Sequence, residues 1–202
     1  EVVVGLREGS PSWAEAEGAG LRVLTPEGAA QWADTIMMLV PDQIMGVIYA
    51  ESVEPNEDST VWTIKLREGI KFHDGSDLTA EVVKNNLDAY RGQYPTRAPQ
   101  LFIFLFLPLQ SVDVVDPLTV QVTLNQPWVS FDAQLYGDGR PGIMAQAQLD
   151  DTSSCAENLI GTGPFRFVDW VPNQKFTAEK NPDYWATDAA GNQLPYLDEI
   201  EF

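Results

Sequence analysis

Few side chains in this sequence have the types and spacing that catalysis or metal binding requires. His73 is the only histidine and Cys155 the only cysteine among 202 residues. Within this chain, a single cysteine excludes an internal disulfide and a zinc site built from several thiolates. His73 lies in the turn-forming sequence His73-Asp74-Gly75, where we expect a structural or surface role for a lone imidazole. Cys155 has no base beside it in the sequence, so we expect a free thiol.

The remaining candidates for chemistry are a glycine-rich segment and several pairs of carboxylates. Gly161-Thr162-Gly163-Pro164 could be taken for a phosphate loop, but it lacks the Gly-Lys-Ser/Thr ending and a following helical pattern. We interpret it as a crossover in which small residues let two backbones approach. The chain has no Gly-x-Ser-x-Gly sequence, which would indicate a serine hydrolase. Pairs such as Asp150/Asp151 and Glu199/Glu201 arise by chance among 30 acidic residues, and a glycosidase pair stays an open alternative.

Composition limits the partners of the chain. Thirty acidic residues against 12 basic ones give a net charge of −18. Such a charge repels nucleic acid and anionic membranes, so we expect neither as a partner. We also predict no metal and no cofactor. The apolar run 101–109, LFIFLFLPL, is too short to span a bilayer. Its pattern is ambiguous between helix and strand, and we expect most of it to be buried.

The clearest local structure is predicted for residues 62–83. Trp62, Ile64 and Leu66 alternate with polar residues, which is typical of a strand with one buried face. A turn follows at Asp74-Gly75, since this pair tolerates positive φ. Thr79 is a suitable N-cap for a helix that continues to Tyr90 and ends at Gly92. Other predicted elements are a strand at 2–6, a loop at 8–20, a helix from Thr25 to Pro41, strands at 111–115 and 118–124, a bend at 137–142, and a hairpin with strands at 165–167 and 175–178.

Two groups of residues resemble a known family. Leu66-Arg67-x-Gly69-x-Lys71-Phe72-His73-Asp74-Gly75, followed by Leu78-Thr79-Ala80-Glu81, resembles the signature of the family 5 extracellular solute-binding proteins. These are the peptide, nickel and oligosaccharide receptors of ABC importers. Val82 departs from the pattern, because the family usually has an acidic residue there. The second group comprises Gly161-Thr162-Gly163-Pro164-Phe165 and Asn181-Pro182-Asp183-Tyr184-Trp185. The resemblance is dense in 62–83 and 161–185, sparser in 111–131, and sparsest before residue 48.

The resemblance implies an α/β fold. We expect an incomplete lobe of the type II periplasmic-binding-protein kind, with an inserted α+β subdomain. Residues 1–48 would form the first segment of lobe I, residues 49–158 the inserted subdomain, and residues 159–202 the second segment of lobe I. The second lobe is expected to lie beyond this chain, which we interpret as an N-terminal portion.

The resemblance also implies a function without catalysis. We expect the extracellular binding component of an ABC import system, with a peptide or other small molecule as ligand and an ABC permease as membrane partner. The location would be extracellular, at the cell surface or in the periplasm, with a signal or lipid anchor outside this chain. A secreted carboxylate-dependent hydrolase and a ligand-free interaction domain are the alternatives.

Four residues are the candidates for ligand contact that the resemblance implies. The family's loop after the first strand lines the ligand cleft, and Ser12 and Trp13 occupy that place here. Ser12 could hydrogen-bond a ligand, and Trp13 could stack on one or else fill a gap in the core. Gly161 and Thr162 lie in the crossover, which the family places near the hinge and beside the ligand.

Overall fold

The computed structural model describes residues 3–5, 11–25, 28, 50–97, 103–136, 142–151, 153 and 159–202. Cys155, most of the predicted bend at 137–142 and most of the predicted helix after Thr25 lie outside these residues. The described elements, in chain order, are β1 (Val3–Gly5), α1 (Pro11–Gly18), β2 (Arg22–Leu24), β3 (Ala50–Pro55), β4 (Val61–Leu66), α2 (Ala80–Tyr90), α3 (Ile103–Phe106), β5 (Leu109–Asp116), β6 (Thr119–Leu124), α4 (Phe131–Tyr136), α5 (Gln146–Asp150), β7 (Phe165–Val171), β8 (Lys175–Lys180) and β9 (Glu199–Glu201).

An antiparallel sheet with strand order β3-β4-β6-β5 supports the largest part of the core. The predicted alternation is confirmed, since Trp62, Ile64 and Leu66 are all buried on one face of β4. Val122 of β6 lies opposite Trp62, and Val120 lies opposite Ile64. Burying one such side chain contributes about 1.5–3 kcal/mol, so this shared apolar face is a main source of stability.

Helix α2 covers the apolar face of this sheet, and both of its predicted ends are confirmed. The side chain of Thr79 accepts a hydrogen bond from the backbone N–H of Val82 at 3.3 Å. Gly92, just past the helix, has φ +73°, which is the conformation that favours glycine at this position. Val83 and Leu87 are buried, at the spacing the sequence pattern predicts.

An aromatic cluster closes one end of the core. Phe131 is fully buried, and its ring centroid lies 5.6 Å from that of Trp62 and 5.5 Å from that of Trp128. Tyr90 stacks on Phe106 with ring centroids 5.3 Å apart. The Phe131–Trp62 pair joins α4 to the sheet, and the Tyr90–Phe106 pair joins α2 to α3.

The expected burial of the apolar run 101–109 is wrong for two of its residues. Phe104 is 60% exposed and Leu107 is 64% exposed, whereas Phe106 and Leu109 are buried. Residues 101 and 102 lie outside the described residues; Ile103–Phe106 form one helical turn, α3, and β5 begins at Leu109. A single helical turn cannot place consecutive side chains on one face, so only part of the described run reaches the core.

The N-terminal elements form a separate two-stranded sheet in which β1 and β2 are parallel. Helix α1 connects them, so the predicted loop at 8–20 is wrong for the part that α1 occupies. Pro11 is well suited to the first helical position, and the following Ala14-Glu15-Ala16-Glu17 has high helix propensity. Further along, the Thr25 hydroxyl accepts a hydrogen bond from the N–H of Gly28 at 3.1 Å, as the predicted helix cap requires.

The C-terminal elements form an antiparallel sheet with order β7-β8-β9. The predicted hairpin is confirmed, with Asn173 at φ 62° in its turn. Phe176 contacts Phe167 and Phe202, with ring centroids 5.8 and 6.2 Å away. Across the described ranges, no helix is both long enough and apolar enough to cross a bilayer.

Candidate functional site

The predicted crossover lies against the turn that precedes α2, and His73 joins the two. The backbone N–H of His73 donates to the Gly161 carbonyl at 2.9 Å. In return, the N–H of Gly161 donates to His73 Nδ1 at 3.3 Å. The other ring nitrogen, Nε2, lies 3.0 Å from the Gly163 carbonyl oxygen. Because Nδ1 accepts, the hydrogen-bond pattern assigns the proton of the neutral ring to Nε2, which donates to Gly163.

The steric part of the crossover prediction is wrong. A Cβ atom added to Gly161 would lie 3.9 Å from His73 Cε1, and one added to Gly163 would meet nothing within 4 Å. Both are ordinary or open separations, so packing does not require glycine at either position. The contact is instead made by hydrogen bonds to backbone groups that any residue carries.

A second side chain holds the crossover from the opposite direction. Asn181, buried at the end of β8, donates from Nδ2 to the Gly163 carbonyl at 3.0 Å, and its own N–H donates to the Pro164 carbonyl at 2.8 Å. Thr162, between the two glycines, is buried, and Gly161 is half-buried. The backbone of the crossover is therefore fixed on both sides.

A polar network continues from the crossover to α2. Ile160 donates its N–H to Gln148 Oε1 at 2.8 Å and accepts from the N–H of Ala145 at 2.9 Å. Met144, the residue before Ala145, is bonded on both sides by Asn86. Asn86 donates to the Met144 carbonyl at 2.9 Å and accepts from the Met144 N–H at 3.1 Å. Asn86 is only 1% exposed. Sequence reasoning missed this residue, although an amide within the apolar stripe of an amphipathic helix is a signal for such a role.

Arg97 caps the helix α5 that belongs to this network. Its guanidinium donates to the carbonyl oxygens of Leu149 at 2.7 Å and Asp151 at 3.1 Å, and also to that of Gln148. A cation suits the carboxyl end of a helix, where carbonyl groups lack partners within the helix. The contact attaches the residues after α2 to the segment that leads to the crossover.

The carboxylate pairs that a hydrolase would use have structural partners. Asp150 accepts hydrogen bonds from the Tyr94 hydroxyl at 2.5 Å and from Gln146 at 3.0 Å. These bonds, that of Tyr94 first, lower the pKa of Asp150 below its ordinary value. A general acid needs the opposite change. Asp151 accepts from the N–H and hydroxyl of Ser153, and Glu201 pairs with Lys175 at 2.7 Å.

Arg67 and Trp185 bring the second group of residues that resemble the family next to the sheet. The Arg67 Cζ lies 4.7 Å from the centre of the Trp185 ring, within the range of a cation–π contact. Trp185 is partly buried and packs against the core. A polar groove of about 480 Å³ runs beside this pair, lined also by Glu51, Lys65 and Glu68.

The other predicted site residues lie on α1. Trp13 is half-buried, and its Nε1 donates to Glu17 Oε1 of the same helix at 3.0 Å. Ser12 is in the first turn of that helix. In the part of the chain that the structure describes, no hydrogen bond or aromatic contact joins α1 to the crossover. The structure therefore brings Gly161 against His73 and places Thr162 in the same segment, while the Trp13 side chain bonds within α1. Nor do the described residues include a group of three His, Cys, Asp or Glu side chains that could hold a metal.

Comparison with known proteins identifies the family. Residues 48–202 match the family model for bacterial extracellular solute-binding proteins, family 5. The chain belongs to this family. The resemblance predicted from the sequence is thereby confirmed, and with it the α/β fold class.

Curated relatives share only part of their length with this chain. The glutathione-binding protein GsiB of Pectobacterium atrosepticum is 35% identical over 153 residues, which are 76% of this chain and 28% of that protein. GsiB of Escherichia coli O157:H7 is 33% identical over the same extent. The chain thus spans about 28% of the length of these relatives.

Solved structures give the same fold. MoaA of A. tumefacien R10, in complex with mannopinic acid, is 28% identical with a TM-score of 0.64, covering 79% of this chain and 35% of MoaA. A nickel ABC transporter protein of Bacillus halodurans is 27% identical with a TM-score of 0.61, covering 76% of this chain and 28% of that protein. DppA of Helicobacter pylori is 23% identical with a TM-score of 0.63, covering 82% of this chain and 38% of DppA. At this identity the likeness supports the fold alone.

A second family model matches the N-terminal part of the chain. It describes the NADPH-binding domain of acetohydroxy acid isomeroreductase and matches residues 1–86. It overlaps the family 5 match over residues 48–86, where β3 and β4 are antiparallel. Dinucleotide-binding domains are built on mostly parallel sheets, so the structure of the overlap agrees with family 5. Ser12 and Trp13 lie before residue 48 and are matched by the second model only.

Proposed function

We propose that this chain is part of a solute receptor of an ABC importer, which binds its ligand outside the cytoplasmic membrane and passes it to a membrane permease. The observation that carries this proposal is the family 5 match over residues 48–202. Two lobes that close about a hinge onto a ligand would provide the mechanism, and such closure requires no bond to be broken. A non-enzymatic role also agrees with the carboxylates described above, whose hydrogen bonds and ion pairs are structural.

The proposed ligand is a short peptide. Support comes from the GsiB relatives, whose name describes glutathione binding. Glutathione is itself a tripeptide. Peptide main chains are bound through backbone groups, and the bonds between Gly161 and His73 fix the backbone on which Thr162 lies. We propose that these two residues lie beside the ligand. The division into segments 1–48, 49–158 and 159–202 is part of the same proposal and agrees with the separate sheets of the three regions.

Ser12 and Trp13 remain a prediction, and a second candidate function competes for them. The segment before residue 48 could instead bind NADPH, as the second family model suggests. The specific observation that favours this candidate is the parallel pair β1–β2 joined by α1, since dinucleotide-binding folds begin with such a unit. On that alternative, the two side chains would contact a nucleotide rather than a peptide.

A ligand panel tests the proposal on this chain and on the complete product of its gene. The panel contains glutathione, di- and tripeptides, nickel with histidine, mannopinic acid and NADPH, and the readout is the thermal unfolding midpoint. We expect peptides to raise the midpoint of the complete protein through linkage. Binding by this chain alone should be weak or absent, and submicromolar peptide affinity of this chain would contradict the proposal. A shift with no panel member in the complete protein would favour the ligand-free interaction domain.

Site variants in the complete protein test the four residues. Removing the Thr162 hydroxyl in Thr162→Val should weaken peptide binding by roughly fivefold if it bonds the ligand, since one hydrogen bond contributes about 1 kcal/mol. Thr63→Val, on the polar face of β4, is the matched control and should leave affinity unchanged. Trp13→Ala is compared with Trp170→Ala, which alters an exposed tryptophan of β7. Loss of an NADPH response rather than of a peptide response in Trp13→Ala would decide for the second candidate.

Turnover assays address the hydrolase alternative. Chromogenic ester, glycoside and peptide substrates should give no turnover that depends on Asp150 or Glu199. Activity abolished by Asp150→Asn would overturn the receptor proposal.

A further inference from the structure

His73 connects two segments that are far apart in the sequence. Its ring bonds to both Gly161 and Gly163 only when it is neutral, with the proton on Nε2. The Gly161 N–H points at Nδ1, while Nε2 lies against the Gly163 carbonyl. Both groups belong to backbone that is irregular, so they have no strand or helix ladder to provide other partners. The imidazole therefore acts as an acceptor on one side and a donor on the other.

Protonation would change only one side of this arrangement. A charged imidazole carries a proton on each nitrogen, so both become donors. Nε2 would still donate to Gly163, but the new Nδ1–H would face the N–H of Gly161. Two donors cannot form a hydrogen bond, and the Gly161 bond would be replaced by repulsion. The Gly163 carbonyl would also keep its second donor, Asn181.

We propose that His73 is a pH-sensitive clamp, in which the neutral ring holds the crossover at both Gly161 and Gly163. Protonation of Nδ1 breaks the bond from the Gly161 N–H to the ring, while the His73 N–H keeps its bond to the Gly161 carbonyl. This inference goes beyond the proposed function. It concerns the residues that the proposed function places beside the ligand, but it rests on the hydrogen bonds alone.

The charged and titratable groups near the imidazole lie on the elements that surround it and not on the crossover itself. Residues 160–164 of the crossover, Ile-Gly-Thr-Gly-Pro, carry no titratable side chain. On the turn of His73, the Asp74 carboxylate accepts from the N–H and hydroxyl of Ser76, and Lys71 pairs with Asp77 at 2.5 Å. The first turn of α2 contributes Glu81. On the side of Asn181, the charged neighbours in sequence are Lys180 and Asp183.

Nuclear magnetic resonance of the chain labelled with ¹⁵N tests the clamp directly. Because the sequence has one histidine, the two ring nitrogen signals need no assignment by mutagenesis. Near neutral pH we expect the tautomer with the proton on Nε2. On acidification the ring signals and the Gly161 amide signal should shift with the same midpoint. The Gly75 amide, which donates to the Phe72 carbonyl in the same turn, is the internal control and should not follow that midpoint.

Two results would overturn the proposal. One is a neutral ring with its proton on Nδ1, and the other is a Gly161 amide that does not respond when the ring titrates. The variant His73→Gln should abolish the coupled shift of Gly161, since its amide does not titrate, and a coupled shift that persists in this variant would also overturn the clamp. No step uses a peptide ligand, so failure of the clamp and failure of the proposed function are separate outcomes.

Discussion

At the residue scale, four buried or half-buried polar side chains of the described residues bind backbone groups of distant segments. Asn86, Gln148, His73 and Asn181 each bond to a carbonyl or N–H of the segments at 142–151 and 159–164. Outside α5 these segments are irregular, so their backbone groups need side-chain partners to be satisfied when buried. The side-chain bonds take the place of the ladder that a strand would have.

Asn86 gives the first prediction. Asn86→Ala removes the acceptor of the Met144 N–H and the donor to the Met144 carbonyl, leaving both groups unsatisfied inside the protein. Each orphaned group costs about 1–3 kcal/mol, so we expect the free energy of unfolding to fall by roughly 2–4 kcal/mol. Urea denaturation measures this change. Asn85→Ala, which removes only a side-chain bond to Gln146, is the matched control and should cost about 1 kcal/mol or less. Equal losses in the two variants would contradict the bracketing role.

Tyr90 gives a prediction on pH. Burial raises the pKa of Tyr90 from 10.0 to about 12, and its hydroxyl donates to the Gly142 carbonyl at 2.7 Å. Above pH 10 the unfolded chain loses this proton while the folded chain keeps it, so stability falls as pH rises from 10 towards 12. The loss is on the order of 2 kcal/mol, from a shift of this size.

The measurement is urea denaturation at a series of pH values between 9 and 11.5. In Tyr90→Phe the corresponding part of the slope should disappear, although the variant starts from a lower stability because the bond to Gly142 is lost. An unchanged slope in the variant would mean that another group causes the alkaline loss.

At the element scale, turns and caps follow from local chemistry. Two glycines show the difference between a position that needs glycine for its backbone conformation and one where neither conformation nor packing needs it. Gly75 has φ +84°, a conformation that other residues adopt at a cost, whereas the structure places no such demand on Gly161. We expect Gly75→Ala to lower the free energy of unfolding by about 1 kcal/mol or more, and Gly161→Ala to change it by less than about 0.5 kcal/mol. Thermal and urea denaturation compare the two. A larger loss in Gly161→Ala would restore the steric interpretation of the crossover.

The elements that could be predicted are those whose signals are local. The alternation in β4, the cap at Thr79, and the Asp-Gly and Pro-Asn turns each lie within a few residues, and the structure confirms them. The strands of β5 and β6 followed from the same kind of pattern. Family resemblance in two dense groups then extended these local predictions to the fold class.

The predictions that failed depended on distant or competing influences. The glycine and serine content of 8–20 favoured a loop, but Pro11 and the alanine–glutamate run that follows it form α1. Residues 103–107 are all apolar, so composition could not tell which of them the single helical turn would expose. For the site, the polar bracket of Asn86 and the bonds of His73 join residues 58 or more positions apart. No spacing rule within one segment can identify such partners.

At the scale of the whole molecule, the dominant physical feature is its charge. A net charge of −18 produces repulsion between carboxylates throughout the folded chain. Salt screens this repulsion, with a Debye length of about 10 Å at 0.1 M and about 3 Å at 1 M. We therefore expect the thermal unfolding midpoint to rise by several degrees between about 0.01 M and 0.5 M salt, because the Debye length shortens over this range and the repulsion weakens.

Scanning calorimetry in NaCl and in KCl checks this expectation. Equal rises in the two salts indicate screening, and a rise in only one of them would indicate a specific ion site instead. A midpoint that falls with salt would mean that the exposed ion pairs, such as Lys65 with Glu51, outweigh the net repulsion.

The separation of His73 from Gly161 in the sequence has a consequence for the order in which the protein is made. The two residues are 88 positions apart, and a ribosome synthesises the N-terminal one first. By the time Gly161 emerges, β3, β4, β6 and β5 have all been translated and can already have paired. The sheet is therefore expected to be able to assemble during synthesis before the histidine contact forms.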